Sequence, residues 1–462
     1  MSGPAGGELW AGRFSTPPAA EARALGRSLH FDVRLASADV QASRAHVGAL
    51  LAAGLLDDDE AGRLDAALVG VGADLEAGRV VFDPADEDVH SVVERVVTER
   101  LGDLGAKLHA GRSRNDLVVT DVRLWLLSAG ARIGAGVSEL ATGLIERARE
   151  HANTVMPGTT HARFAQPVTL GHHLLAHAWG LARDLDRLDQ WSERTSTSAL
   201  GAGAIATSTL GLDPAATAER LGMRRAFANS IDAVGDRDFA QEFLAAAAIC
   251  STHLSRLAAD LARWTDESLG WAQLDEAYST GSSMMPHKRN PDTAELVRGK
   301  AARIVGNFVT LTSLLQGLSL GYHRDLQEDK EPVFDAADTL ELTLPALTGA
   351  IATMRFDTAA MREACANEGL YATDLAEALV RTGVPFREAH RRTGELVKRL
   401  EDDGRSLASL GVQEWVDFGV PDGAAMLDPD ASIAARTTPG GPSQKSVRTQ
   451  ADALERMLAV HR

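Results

Sequence analysis

Three observations on the 462-residue sequence predict an all-α fold built around a central bundle of unusually long helices. Along three extended segments the apolar residues recur at alternating steps of four and three, the spacing a long packed helix requires. Strand signals, meaning alternating β-branched runs bounded by turn dipeptides, are confined to short stretches around residues 79–82. No tandem repeat or low-complexity tract interrupts this pattern.

In chain order, residues 1–110 read as a domain of shorter helices with acidic punctuation at 57–60 and 83–88. Residues 111–360 carry the long stripes. The first runs Leu174, Ala178, Leu181, Leu185, Leu188, and the second Phe243, Ala247, Cys250, Leu254, Leu257, Leu261, Trp264. The third is Val297, Ala301, Ile304, Phe308, Leu311, Leu315, Leu318. Residues 361–462 return to short helices and Gly/Pro-rich turns such as 437–442. Stripes of this length leave more apolar surface than one chain can cover, so association through bundle packing is expected.

Composition fits a large enzyme of two or three domains, with 45% apolar residues to fill its cores. The net charge of −17 argues against nucleic acid or an anionic membrane as the main partner, because both would be repelled. A small anion can still bind at a local basic patch. Cys250 and Cys365 are too few and too far apart for a disulfide framework or a metal cage, which suits a reducing cytosol. The first fifteen residues lack a basic region followed by an apolar run, and no segment is apolar for long enough to span a bilayer; a cytoplasmic location is expected.

The densest chemistry lies at 280–295, TGSSMMPHKRNPDTAE. Gly281-Ser282 gives a turn bearing a hydroxyl, while Pro286 and Pro291 bar helix until Asp292. Asp292 reads as an N-cap with Glu295 as its capping-box partner. Lys288, Arg289 and Asn290 then stand just before a positive helix terminus, which makes an anion site. Taken singly, GSS is a flexible turn, HKR a solvated charge cluster and Asp292/Glu295 a cap. Only the ensemble asks for more.

Two further segments carry polar groups suited to a carboxylate. GRSRND at 111–116 opens the bundle region, with Arg114 and Asn115 offering fork-like and amide donors; by itself it reads as a loop with local hydrogen bonds. MPGTTHARFAQP at 156–167 holds Thr160 and His161 among turn residues before the next long helix. A lone histidine there would be structural or solvated. His173 and His177 stand one helical turn apart but lack the glutamate and third ligand of a zinc motif, so packing or hydrogen bonding is expected, with no metal. No phosphate or dinucleotide fingerprint occurs.

The order GSSxMPxKxNPxxxE resembles the signature loop of the fumarase/aspartase superfamily, whose members split C–N or C–O bonds and release fumarate. Over nearly its whole length the chain is similar to the argininosuccinate lyases and their crystallin relatives. The likeness rests on LWAGRF at 9–14, SLHFDVRL at 28–35, DEDVH at 86–90, GRSRND at 111–116 and PGTTH at 157–161. It continues with ANSIDAVGDRDF at 228–239, the signature loop, and YHRDLQEDKEPVFD at 322–335. The resemblance implies a three-domain, all-α fold with a central long-helix bundle, and a homotetramer whose active sites are shared between subunits. It implies cleavage of an anionic N-succinyl amino acid, argininosuccinate, to arginine and fumarate, with no cofactor.

It also implies residue roles. Ser282 and His161 serve as base and acid, in an order the sequence leaves open, Lys288 stabilises the developing charge, and Glu295 orients Lys288 or His161. Ser28, Asn115, Thr160 and Asn290 match residues that hold the fumarate half, with Arg114 as helper. Tyr322, Gln327 and Lys330 match residues near the arginine half. Read without the resemblance, Tyr322 is a buried structural aromatic and Lys330 a helix-surface charge. The chain departs from the family pattern at Leu117, Ala162, Arg163, His287 and His323, and MPHKRNP with QPVTLGHH is closer to adenylosuccinate lyases and carboxymuconate-cyclising relatives. Reaction type is therefore firmer than substrate: a lyase for another N-succinyl compound, or an idle crystallin-like scaffold, stays open.

Overall fold

The computed structural model describes residues 19–461, so the LWAGRF segment lies outside the described residues. The helices relevant to the site are α1 (Ala36–Ala52), α2 (Asp58–Glu76), α3 (Val89–Leu101) and the long α4 (Arg114–Glu150). A hairpin follows, β1 (Val155–Thr160) and β2 (Arg163–Thr169). Four more long helices come next: α5 (Leu170–Thr195), α6 (Asp238–Trp264), α7 (Asp292–Leu315) and α8 (Lys330–Thr353). Shorter helices complete the chain, among them α9 (Ala372–Arg381), α10 (Phe386–Asp402) and α11 (Gln444–Val460). The fold is all-α, with a bundle of long helices at its centre.

The described chain groups into two compact units. The first takes residues up to Ile133, Arg187–Ala248 and Arg303–Thr339; the second takes Gly134–Asp186, Ile249–Ala302 and the chain from Leu340 onward. Each of the five long helices contributes one part to each unit. In the first unit a small core joins Ala42, Ala45, Leu117, Leu200, Leu221 and Met223. In the second, Leu375, Leu396, Leu400, Leu407, Leu410 and Trp415 close round α9 and α10. Burial of such clusters, at about 25 cal/mol per Å² of apolar surface, is the main favourable term in folding.

The three sequence stripes fall on α5, α6 and α7, as expected. The third is one residue too long: α7 stops at Leu315, and Gly317, at φ 90°, turns the chain before Leu318. The two other long helices carry buried stripes that the sequence reading did not use, among them Val122, Leu126, Ala129, Ile133, Val137 and Leu140 in α4. Gly130 in α4 lies so close to Trp191 that a Cβ there would stand 2.4 Å from the indole, so the helix face is read by an absence of side chain. In α8, Pro345 interrupts a run that is otherwise deeply buried at Leu340, Leu344, Leu347 and Ile351.

Two local expectations are corrected. The stretch around residues 79–82 is irregular: the Val81 carbonyl accepts from the Arg95 guanidinium (3.0 Å) and the Arg79 N–H donates to the Asp74 carbonyl (2.8 Å), which takes two backbone groups away from a ladder. The longest strands lie instead at 155–169, the segment expected to be turns, and the other strands among the described residues are two-residue pairs at 197–198 with 225–226 and 272–273 with 355–356. Pro157 faces Pro167 there, which a two-stranded sheet tolerates because both strands are edges.

Candidate active site

The loop at 281–289 is pinched at its neck. Thr280 and Asn290 exchange both backbone bonds (3.2 and 2.8 Å), and the Asn290 amide reaches the Gly281 carbonyl (3.4 Å). The Thr280 hydroxyl donates to Asp292, and Thr293 donates to the Tyr278 carbonyl (3.0 Å). Inside this closure the Ser282 Oγ accepts from two successive backbone N–H groups, Met284 (3.3 Å) and Met285 (3.0 Å). Two amide dipoles therefore point at one hydroxyl oxygen, an arrangement that favours negative charge on it. Lys288 is exposed nearby in sequence, and Arg289 is engaged with Glu276.

The helix start differs from the expected capping box. The Pro291 carbonyl accepts from Ala294 (2.9 Å) and Glu295 (3.1 Å), so Pro291 holds the cap position and Asp292 is the first helical residue. With its carboxylate taken by Thr280, Asp292 does not cap Glu295. The exposed Glu295 carboxylate lies 3.7 Å from Arg298. The shift is local: proline satisfies a helix start with no N–H of its own to place.

His161 occupies the tip of the β1–β2 hairpin. Thr160 pairs with Arg163, leaving His161 (φ 52°) and Ala162 (φ 60°) as the two turn residues, both left-handed. Such a two-residue turn matches the twist of its strands but ordinarily selects Asn or Gly. The base of the hairpin is buried through Val155, Met156 and Thr169, while Thr159 to Phe164 stand exposed. The imidazole is thus held out on a fixed arm.

In the first unit the expected recognition residues are already engaged. Ser28 is buried and donates to Asp32 (2.5 Å), which also accepts from the Val89 N–H (3.0 Å). Ser113 and Asp116 form a reciprocal cap that starts α4: Asn115 N–H donates to Ser113 Oγ (3.2 Å) and Ser113 N–H to Asp116 (3.0 Å). The same Asp116 accepts from Gly201 and Gly203 (3.0 and 2.8 Å). Arg114 on that first turn donates to Asp88 (2.7 Å), and the Asn115 amide donates to the Ala204 carbonyl (3.1 Å). Gln327 is half-buried on the turn before α8.

Lys330 is not a surface charge. It is 3% exposed and donates to Asp329 (2.9 Å), whose second oxygen accepts from Arg237 Nε (2.6 Å). The Arg237 carbon centre lies 5.7 Å from the ring of Tyr322, which is half-buried. Burial pushes the Asp329 carboxyl up, but Lys330 and Arg237 outweigh it and hold the group below its usual range. Two buried cations share one anion, and Arg237 Nη2 is left without a bonding partner.

One cluster was missed by sequence reasoning, although DEDVH lay in view. Asp88 caps α3 through Ser91 N–H (2.7 Å) while binding Arg114. Two residues on, the His90 Nδ1–H donates to Asp39 (2.6 Å), and Asp121 lies 3.3 Å away. A single N–H serves one strong bond, and the shorter contact takes it, so the Asp121 oxygens and His90 Nε2 stay unpartnered. Burial disfavours the charged imidazole, yet Asp121 and Asp39 push it up to about 10. Burial and the nearby Asp39 raise Asp121. The partners come from α1 and α4, so no local spacing could have marked the cluster.

Thr160, His161, Ser282, Lys288, Asn290 and Glu295 belong to the second unit. Ser28, Arg114, Asn115, Tyr322, Gln327 and Lys330 belong to the first.

Comparison with known proteins gives this geometry a lineage. The family description "Lyase" matches residues 12–306, and "Argininosuccinate lyase C-terminal" matches 369–434. The argininosuccinate lyase of Frankia casuarinae is 48% identical, covering 97% of this chain and 98% of its own length. That of Kineococcus radiotolerans is 47% identical over 98% of this chain and 96% of its own. Among solved structures, EDDS lyase in complex with formate superposes with a TM-score of 0.83 at 28% identity, covering 93% of this chain and 87% of that one. The class II fumarase of Schistosoma mansoni shares the fold at 15% identity, with a TM-score of 0.74 over 86% and 90% of the two chains. A dedicated C-terminal match, near full-length identity and the long-helix fold converge, and the chain belongs to the argininosuccinate lyase family.

Proposed function

We propose that this enzyme cleaves argininosuccinate reversibly to L-arginine and fumarate, the last step of arginine biosynthesis. The substrate reading follows from curated relatives named argininosuccinate lyase that match nearly the whole chain. The observation that carries the chemistry is the pair of backbone N–H groups converging on Ser282.

The proton to be removed sits on the succinyl carbon next to a carboxylate. An unperturbed serine hydroxyl ionises far above neutrality, so an alkoxide needs help from amide dipoles, cations and exclusion of water. Ser282 has the first already. It takes the proton, and the electron pair moves into the adjacent carboxylate, forming an aci-carboxylate of higher negative charge. Lys288 and Asn290 donate to it, stabilising the transition state more than the ground state. The C–N bond then breaks as His161 delivers a proton to the departing guanidino nitrogen; without that proton the guanidine would leave as an anion. Glu295 serves to orient Lys288 or His161. Ser28, Arg114, Asn115 and Thr160 hold the fumarate half, and Tyr322, Gln327 and Lys330 the arginine half. No step needs a cofactor.

The active unit in this reading is a cytoplasmic homotetramer with sites shared between copies. Its support is α7, which is buried along one narrow line, Ala294, Val297, Ile304 and Leu311. Leu296, Val305 and Val309 are 61%, 43% and 55% exposed, and Gly299, Ala302 and Gly306 beside them allow close helix approach. Two buried, unbridged cysteines suit a reducing compartment.

Growth of fumarate absorbance after mixing purified enzyme with argininosuccinate tests the activity. Turnover of adenylosuccinate or another N-succinyl compound in preference would reassign the substrate, and silence on all would favour a crystallin-like scaffold. Mixing inactive His161→Asn and Ser282→Ala proteins tests the shared site: partial recovery is expected, and none after confirmed subunit exchange would refute it.

A further inference from the structure

We propose that His173, His177 and Asp260 form a binding site for a divalent transition metal of the zinc class, which ties α5 to α6 in the second unit. The two histidines lie one turn apart on α5, and both aim Nε2 at the same oxygen of Asp260, at 2.7 and 2.9 Å. That carboxylate comes from α6, more than eighty residues further along, and supplies the third ligand that the local sequence lacks.

The ligand set and its spacing suit a metal. All three ligand atoms fall within 4.8 Å of one another. In a tetrahedral zinc site with bonds of about 2.0–2.2 Å, ligand atoms stand roughly 3.3–3.6 Å apart, so a widening of about half an ångström or somewhat more admits the ion. Two imidazoles and one carboxylate select zinc, cobalt or nickel over magnesium or calcium, which prefer all-oxygen shells. The three side chains are 29%, 14% and 30% exposed, leaving an entry path and room for water as fourth ligand. The His173 ring packs edge-on against buried Trp264 at 5.1 Å, which fixes its direction.

One charge opposes the ion. Arg256, one turn before Asp260 on α6, acts on His177 and would repel a dication. Its removal should therefore tighten binding.

The alternative is a closed hydrogen-bonded clamp in which both imidazoles donate to Asp260 and no ion enters. Chelator-stripped protein titrated with zinc chloride by calorimetry, and with cobalt chloride by its visible d–d bands, separates the two. The site predicts one equivalent per chain, a Tm that rises with zinc concentration, and tetrahedral cobalt absorbance. His177→Gln and Asp260→Asn should each weaken zinc by at least about tenfold, while His172→Gln leaves it unchanged and Arg256→Gln strengthens it. Circular dichroism checks that each variant is folded. Absence of saturable binding to the folded wild type, or binding that His173→Gln/His177→Gln leaves intact, overturns the proposal.

Discussion

The two units hold their candidate site residues in different ways. In the first, Ser28, Arg114, Asn115 and Lys330 are buried or half-buried and already hydrogen-bonded, with Asp32, Asp88 and Asp329 as anionic partners. In the second, His161 and Lys288 stand exposed on a hairpin tip and a loop, and the Ser282 Oγ accepts from its own backbone neighbours. Residues that grip a substrate gain from being held before it arrives, since the ordering cost is met during folding. Residues that move protons need a site that can open and then exclude water, and exposed loops provide that at little cost to the fold.

Substitutions can break this contrast or sharpen it. Ser282→Ala has the largest expected effect: fumarate release is abolished while helicity and Tm stay unchanged, because an exposed-loop hydroxyl contributes little to stability. A near-normal rate would remove Ser282 from the reaction. His161→Asn should slow turnover by about 10²–10⁴ with no loss of stability; a drop of only a few-fold would mark the imidazole as structural.

In the first unit the same kind of change should strike the fold. Asp329→Asn strands the buried charges of Arg237 and Lys330 and should cost about 3–5 kcal/mol in denaturant unfolding. An unfolding midpoint equal to that of the native chain would mean those cations are not paired as described. The unit should also dominate the pH dependence of stability. His90 is pushed up to about 10, above its unfolded value of 6.5, so its contribution is complete below about pH 6.5 and is lost as pH rises towards 10. His46 is buried and donates to the Ala110 carbonyl; burial first, then Arg112, lowers it to about 3. Its contribution is complete above about pH 6.5 and is lost as pH falls towards 3. A His90→Gln chain should therefore lose the alkaline slope of Tm against pH and keep the acid one. An unchanged alkaline slope would place the responsible group elsewhere.

The smallest effect belongs to the hairpin. Ala162→Gly relieves a left-handed turn and should stabilise by up to about 1 kcal/mol while leaving turnover near normal. Destabilisation would show that the methyl group is held by contacts outweighing the strain.

How much could be read beforehand depended on whether the signal was local. The stripes on α5, α6 and α7 repeat every seven residues, and the loop at 280–295 concentrates its chemistry in sixteen neighbours, so both were visible. Helices α4 and α8 carry buried stripes of the same period and were passed over, α4 with Gly130 set against Trp191 and α8 with Pro345 inside it. The hairpin hid behind Pro157, Gly158 and Pro167, which read as turn until their pairing is seen.

By itself the chain determined its helical class, its long stripes, and the set of hydroxyl, imidazole and ammonium groups, because periodicity and loop composition act between residues a few places apart. Tertiary structure decided which of those groups are free. It buried Lys330 against Asp329 and Arg237, placed His90 among Asp39 and Asp121, and brought Asp260 to His173 and His177. Apart from the adjacent Asp329 and Lys330, those partners are separated by tens of residues, and a pairing of buried charges is set by which helices pack together, a matter no short window of sequence encodes.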